Sequence, residues 1–153
     1  MPDSSASARF DIVDTVNQRG VLLDSGLLVA VAVREDGRHQ EAVQCLKAAI
    51  DDRRPLFVSV STIHETHRQI LHRCGVVLAR KFLSSVLDGT MAVIDHDLQG
   101  LHAGLDWIDR YSDQDFTITD AVNMALMVSW RFHAVMSFDK HFLIAGFRRV
   151  PPL

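Results

Sequence analysis

Asp24 closes the apolar run VLLD, and Asp139 directly follows another, AVMSF. Glu65 lies at the start of an amphipathic segment after LFVSV, and Asp120 opens the most apolar stretch of the chain, ITDAVNMALMV. Each of these four acids stands at the end of a strand-like run or the start of a helix-like one. If the strands are parallel, their carboxyl ends share one edge, and open α/β sheets bind ligands at that edge. Carboxylates gathered there repel one another, and burial raises the cost. Mg²⁺ or Mn²⁺ relieves the repulsion, because hard cations take oxygen ligands. One or two such ions on a carboxylate cluster can generate hydroxide and steady a phosphodiester transition state.

The same residues also have a plain structural explanation. Thr62-x-x-Glu65 and Thr117-x-x-Asp120 have the spacing of capping boxes. The helix dipole favours an acid in the first turn, and Asp24 and Asp139 fit as N-caps. Taken singly, each acid is better explained this way. Their shared location shifts the balance, while spacing alone leaves the function open. Asp120 is the most informative, since Ala121, Val122, Met124, Ala125, Leu126, Met127 and Val128 make its helix a buried one. An acid at a buried helix start needs partners. Glu65 falls on a polar helix face with Arg68, Gln69 and His72, opposite Ile63, Ile70, Leu71 and Cys74. Its structural alternative is a solvated pair with Arg68, worth roughly a few tenths of a kcal/mol.

Positioning these acids requires strands and helices in alternation. Strands are expected at 21–24, 56–60, 91–95 and 134–138, with a short last one at 148–150. Helices are expected at 27–33, 39–50, 61 or 62 to 74, 77–87, 97–111, 118–132 and 140–144, with Gly75 and Gly89 as stops. The pattern predicts an α/β fold with a mainly parallel central sheet flanked by helices. Residues 1–20 read as a loosely ordered N-terminal extension, with an amphipathic piece around Phe10, Ile12, Val13 and Val16. Residues 21–153 form the single domain that a 153-residue chain is expected to hold.

Sixteen Lys and Arg against 19 Asp and Glu give a net charge of −3, which excludes a globally basic nucleic-acid coat. Nucleic acid would be met through a local patch or a metal. Arg68, Arg73, Lys140, Arg148 and Arg149 are the candidates for an RNA backbone, Lys140 foremost because it adjoins Asp139. Each has solvated surface as its ordinary alternative. No apolar run is long enough to span a bilayer. Cys45 and Cys74, far apart and in no CxxC, fit buried, reduced thiols of a cytosolic protein. The N-terminus has no secretory pattern, so a cytoplasmic location is expected.

Other chemistries fit poorly. His64 and His67 stand three apart, whereas a zinc-protease helix needs four; His67 reads as a core or interface residue. No phosphate-binding glycine loop is present. Met124, Met127, Trp107 and Trp130 read as core or interface residues. A receiver-like phosphoacceptor would need an acidic pair after the first strand, and only Asp24 is there.

In their order along the chain, VLLDSG, STIHET, YSDQDFTITDAVNMALM and SFDKHF resemble the PIN-domain ribonucleases. More narrowly they look like toxins of VapBC-type toxin–antitoxin pairs. The likeness runs from about Val21 to Val150 and is most specific from Tyr111 to Phe142. It implies a three-layer PIN-like fold and metal-dependent endonucleolytic cleavage of RNA with Mg²⁺ or Mn²⁺. It further implies a cognate antitoxin that blocks the site, and a homodimer through a helical face. By resemblance Asp24, Glu65, Asp120 and Asp139 are the metal-binding acids, accompanied by the hydroxyl of Thr117 or Thr119. The chain departs from the pattern twice. Some twenty residues precede the first strand, and Asp113 and Asp115 stand before Asp120 as further possible ligands.

Overall fold

The computed structural model of the chain describes residues 18–151. The expected amphipathic piece at Phe10–Val16, like residues 152 and 153, lies outside them. Of the extension, Arg19 is tied to the body: its guanidinium donates to the Asp52 carbonyl (2.9 Å), and Arg54 Nε donates to the Arg19 carbonyl (3.2 Å).

Five strands form one sheet: β1 (Val21–Leu23), β2 (Leu56–Ser59), β3 (Ala92–Ile94), β4 (Ala134–Met136) and β5 (Arg148–Val150). Their order is β3-β2-β1-β4-β5 and every pairing is parallel. Seven helices lie wholly within the described residues: α1 (Ser25–Ala32), α2 (His39–Asp51), α3 (Val60–Cys74), α4 (Val76–Val86), α5 (Leu98–Arg110), α6 (Ile118–Ser129) and α7 (His141–Ile144).

The central strands are apolar up to Ser59 at the end of β2 because both of their faces are covered. Successive side chains point to opposite faces. Val21 and Leu23 therefore join one core with Leu27, Ala42, Ile63 and Phe82 from α1 to α4. Leu22 and Phe57 join the other with Val122, Met124, Trp107 and Phe142 from α5 to α7. The result is the expected three-layer α/β fold. Helices α5 and α6 approach closely where Gly104 is buried, since an added Cβ would stand 3.2 Å from Val122 Cγ2.

Several boundaries differ from the sequence reading, each for a local reason. Helix α3 starts at Val60, because Ser59 is its N-cap and accepts from the Thr62 N–H. The expected Thr62–Glu65 capping box does not form, and Glu65 lies in the second turn. The buried face of α3 carries Thr62, Ile63, Thr66 and Ile70, while Leu71 and Cys74 are exposed. Cys74 is thus not a buried thiol, and Cys45 is only half-buried. Strand β4 stops at Met136, which frees 137–140 to form a loop.

A buried polar ring ties α6 to the β2–α3 junction. Ser59 Oγ donates to Asn123 Oδ1 (2.6 Å), and Asn123 Nδ2 donates to Thr62 Oγ1 (2.8 Å). All three residues are fully buried. Removing one member strands the others without water, and a buried unsatisfied group costs about 1–3 kcal/mol. Asn123→Ala is therefore expected to lower stability by about 2–4 kcal/mol, cavity included, in urea unfolding. A loss under about 1 kcal/mol would show that the ring does not hold α6 in place.

Candidate metal centre

Strand order reverses between β1 and β4, so the crevice outside their carboxyl ends is the switch point of the sheet. Asp24 enters it directly from β1. Its N–H donates to the Met136 carbonyl at the end of β4 (3.1 Å). Asp24 occupies the N-cap position of α1, yet its side chain makes no capping bond. Its Oδ2 instead accepts from Ser137 Oγ (2.7 Å), and its Oδ1 is buried without a partner. The residue is 3% exposed. Ser137 Oγ in turn accepts from the Asp139 N–H (2.9 Å), so one hydroxyl links the two acids. Arg149, buried in β5, donates to the Phe138 carbonyl (2.8 Å) and pins the loop between them. That role removes Arg149 from the candidates for RNA contact.

Asp120 enters from α6. The capping box read from the sequence is present: Thr117 Oγ1 accepts from the Asp120 N–H, and Asp120 Oδ2 accepts from the Thr117 N–H (2.9 Å). Asp120 is buried and Asp139 half-buried. Ligand atoms of Asp120, Asp139 and His141 all lie within 4.8 Å of one another. No sequence signal marks His141, because a histidine inside SFDKHF has no distinguishing spacing. Its backbone N–H donates to Asp139 Oδ1 (2.9 Å), and its ring packs edge-on against Phe116.

Glu65 does not join that group. It lines a separate shallow pocket of about 440 Å³ with Arg68, Thr117 and Thr119, reached over the start of α6. Asp113 is exposed and accepts from the Gln114 side chain (3.1 Å). Asp115 is exposed too, and meets the cluster only through His141 Nε2 (3.0 Å). Lys140, Arg68 and Arg148 are exposed, whereas Arg73 is paired with Asp36 (3.3 Å). Among the described residues, His64 and His67 belong to no group able to hold a metal.

Burial pushes the Asp24 carboxyl up to about 7; the hydrogen bond from Ser137 opposes the rise, and the charges of Asp120 and Asp139 add to it. Burial also raises Asp120, against the two hydrogen bonds from Thr117. An orphaned carboxylate oxygen facing other acids is what an oxygen-liganded cation would satisfy. Asp120 and Asp139 fit Mg²⁺ or Mn²⁺ directly; Asp24 lies outside their 4.8 Å group and is tied to it through Ser137 and through the charges of Asp120 and Asp139.

The raised Asp24 carboxyl makes the stability of the fold depend on pH. The folded protein keeps a proton that the unfolded chain releases between about pH 4 and pH 7. Stability of the metal-free protein must fall as pH rises through that window, then level off. Asp24→Asn, which removes the titration, is expected to be more stable than wild type at pH 8 by on the order of 2–4 kcal/mol. At pH 5 the difference should shrink to less than about half of that, since the unfolded chain has then released its proton and the folded one has not. Thermal melts in a chelator at both pH values measure it, and equal gaps at both would refute it.

No family model matches the chain, and no curated protein matches it. Among solved structures, the toxin VapC20 of Mycobacterium tuberculosis, described as cleaving the sarcin–ricin loop, superposes with a TM-score of 0.79. It is 22% identical, over 86% of this chain and 99% of that one. FitAcB from Neisseria gonorrhoeae superposes with a TM-score of 0.58 at 14% identity, over 84% of this chain and 95% of that one. The five-stranded all-parallel sheet, its covering helices and these two superpositions together show that the chain has a PIN-like fold.

Proposed function

We propose that the chain is a metal-dependent endoribonuclease and the toxin of a bacterial toxin–antitoxin pair. One observation carries the reading. Asp24 makes no capping bond at its N-cap position and keeps a buried oxygen without a partner, near enough to Asp120 and Asp139 for their charges to raise its carboxyl. A purely structural acid would cap α1. The likeness to a toxin described as cleaving the sarcin–ricin loop supports RNA as the substrate.

In this reading Asp24, Asp120 and Asp139 hold Mg²⁺ or Mn²⁺, which supplies Lewis acidity and positive charge for phosphodiester hydrolysis. Ser137 fixes the rotamer of Asp24, and the Thr117 cap fixes Asp120. Glu65 acts from the flank, orienting water or substrate beside Thr117 and Thr119. Lys140 and Arg68, both exposed, hold the RNA backbone on either side. An antitoxin protein blocks the crevice, and the pair works in the cytoplasm, where its RNA is.

A homodimer is part of the same proposal. Leu98, Leu101 and Leu105 are exposed at helical spacing along α5, and Val76 and Val77 are exposed at the start of α4. Light scattering is expected to give twice the chain mass at micromolar concentration, and a monomer would sink the dimer.

Purified, antitoxin-free protein and Asp24→Asn are to be incubated with total RNA and folded tRNA in Mg²⁺, Mn²⁺ or EDTA. Discrete fragments that require both the metal and Asp24 are expected. The loss of rate in the variant should be at least about 100-fold, as removing an essential ligand implies. Cleavage that persists in the folded variant would refute the mechanism. Folded, metal-binding protein that never cuts would favour a PIN-like module that binds RNA or protein without catalysis.

A further inference from the structure

His141 is 8% exposed and its two ring nitrogens meet very different surroundings. Nε2 stands 3.0 Å from Asp115 Oδ1. A carboxylate only accepts, so Nε2 carries the proton. The Asp115 carboxyl is held below the usual range by a bond from its own backbone N–H and then by the one from His141, so it remains an anion able to accept. With Nε2 as the donor, Nδ1 is the ring nitrogen left to face the acids. That atom is buried and makes no hydrogen bond, although it stands 3.2 Å from Asp139 Oδ1 and 3.7 Å from Asp120 Oδ2. Asp139 Oδ1 is already taken by the His141 backbone N–H. A nitrogen lone pair so close to two carboxylate oxygens is repelled unless a cation relieves it, either a metal ion among the three atoms or a proton on Nδ1 itself.

Carboxylate, imidazole and acid cluster thus form the arrangement in which an outer carboxylate fixes the tautomer of a metal-bound histidine. Resting on the metal centre proposed above, we propose that His141 Nδ1 is a ligand of that centre, oriented by Asp115. A nitrogen ligand disfavours Mg²⁺, which prefers oxygen donors and keeps its waters, and favours a first-row transition cation such as Mn²⁺. Asp115 thereby joins the site as a positioning residue, though it does not reach the crevice itself.

The test uses the metal-free full-length chain, Mn²⁺ and Mg²⁺ alone, and no RNA. Pulsed electron paramagnetic resonance of the Mn²⁺-loaded wild type reads whether a nitrogen is coordinated, whatever the fate of any variant. Calorimetric titration reads affinity for wild type, His141→Gln, Asp115→Asn and Asp24→Asn, with circular dichroism to confirm folding. Imidazole nitrogen coupling in wild type that vanishes in His141→Gln is expected. Mn²⁺ affinity should fall at least about 10-fold in both His141→Gln and Asp115→Asn, with a much smaller change for Mg²⁺. An oxygen-only spectrum, or His141→Gln binding Mn²⁺ as tightly or more tightly, would overturn the ligand role and mark His141 as a counter-charge; the acid-only centre would stand, provided Asp24→Asn still weakens binding. Wild type that binds neither ion would overturn this inference and the metal centre together.

Discussion

When β1 and β4 close side by side, the Asp24 carboxyl loses its water and is left among other acids. Its single hydroxyl partner, Ser137, accounts for one oxygen and leaves the other unsatisfied. A charge in that position is costly, and the cost rises with each neighbouring carboxylate. The rest of the crevice is arranged around this constraint. Ser137 both donates to Asp24 and receives the Asp139 N–H, so the loop after β4 cannot move without disturbing the acid on β1.

The surrounding framework holds groups that would otherwise separate. Strands covered on both faces fix the height of Asp24 and Ser137 in the sheet. The capping box stops Asp120 from rotating away from its neighbours. The ring of Ser59, Thr62 and Asn123 locks α6 against β2 from inside the core, and Arg149 closes the loop from β5. Each of these bonds gives a buried donor or acceptor a partner, which stabilises the fold where the crevice itself does not.

The architecture was largely legible from residue pattern. Two-sided burial writes itself into the chain as short apolar runs, and α6 announced itself by its length and hydrophobicity. The Thr117–Asp120 box was readable because both partners are local. Boundaries set by competing local bonds were less so. Ser59 outcompeted Thr62 as the cap of α3, which moved Glu65 a turn along the helix; separately, the buried stripe runs through Thr62, Ile63, Thr66 and Ile70 and leaves Leu71 and Cys74 exposed.

The sequence alone therefore determined the layer order, the parallel sheet and the acids delivered to its carboxyl edge, because these follow from periodicity and from bonds between near neighbours. Tertiary structure decided which acids meet. Asp120 and Asp139 meet at His141, Asp24 is linked to them through Ser137, and Glu65 stays on the flank. It also brought in Ser137 and His141, and gave Asp115 a place through His141. A hydroxyl or an imidazole acquires its role only from what lies within about 3 Å of it, and across separations of 26 or 113 residues no local pattern records that distance.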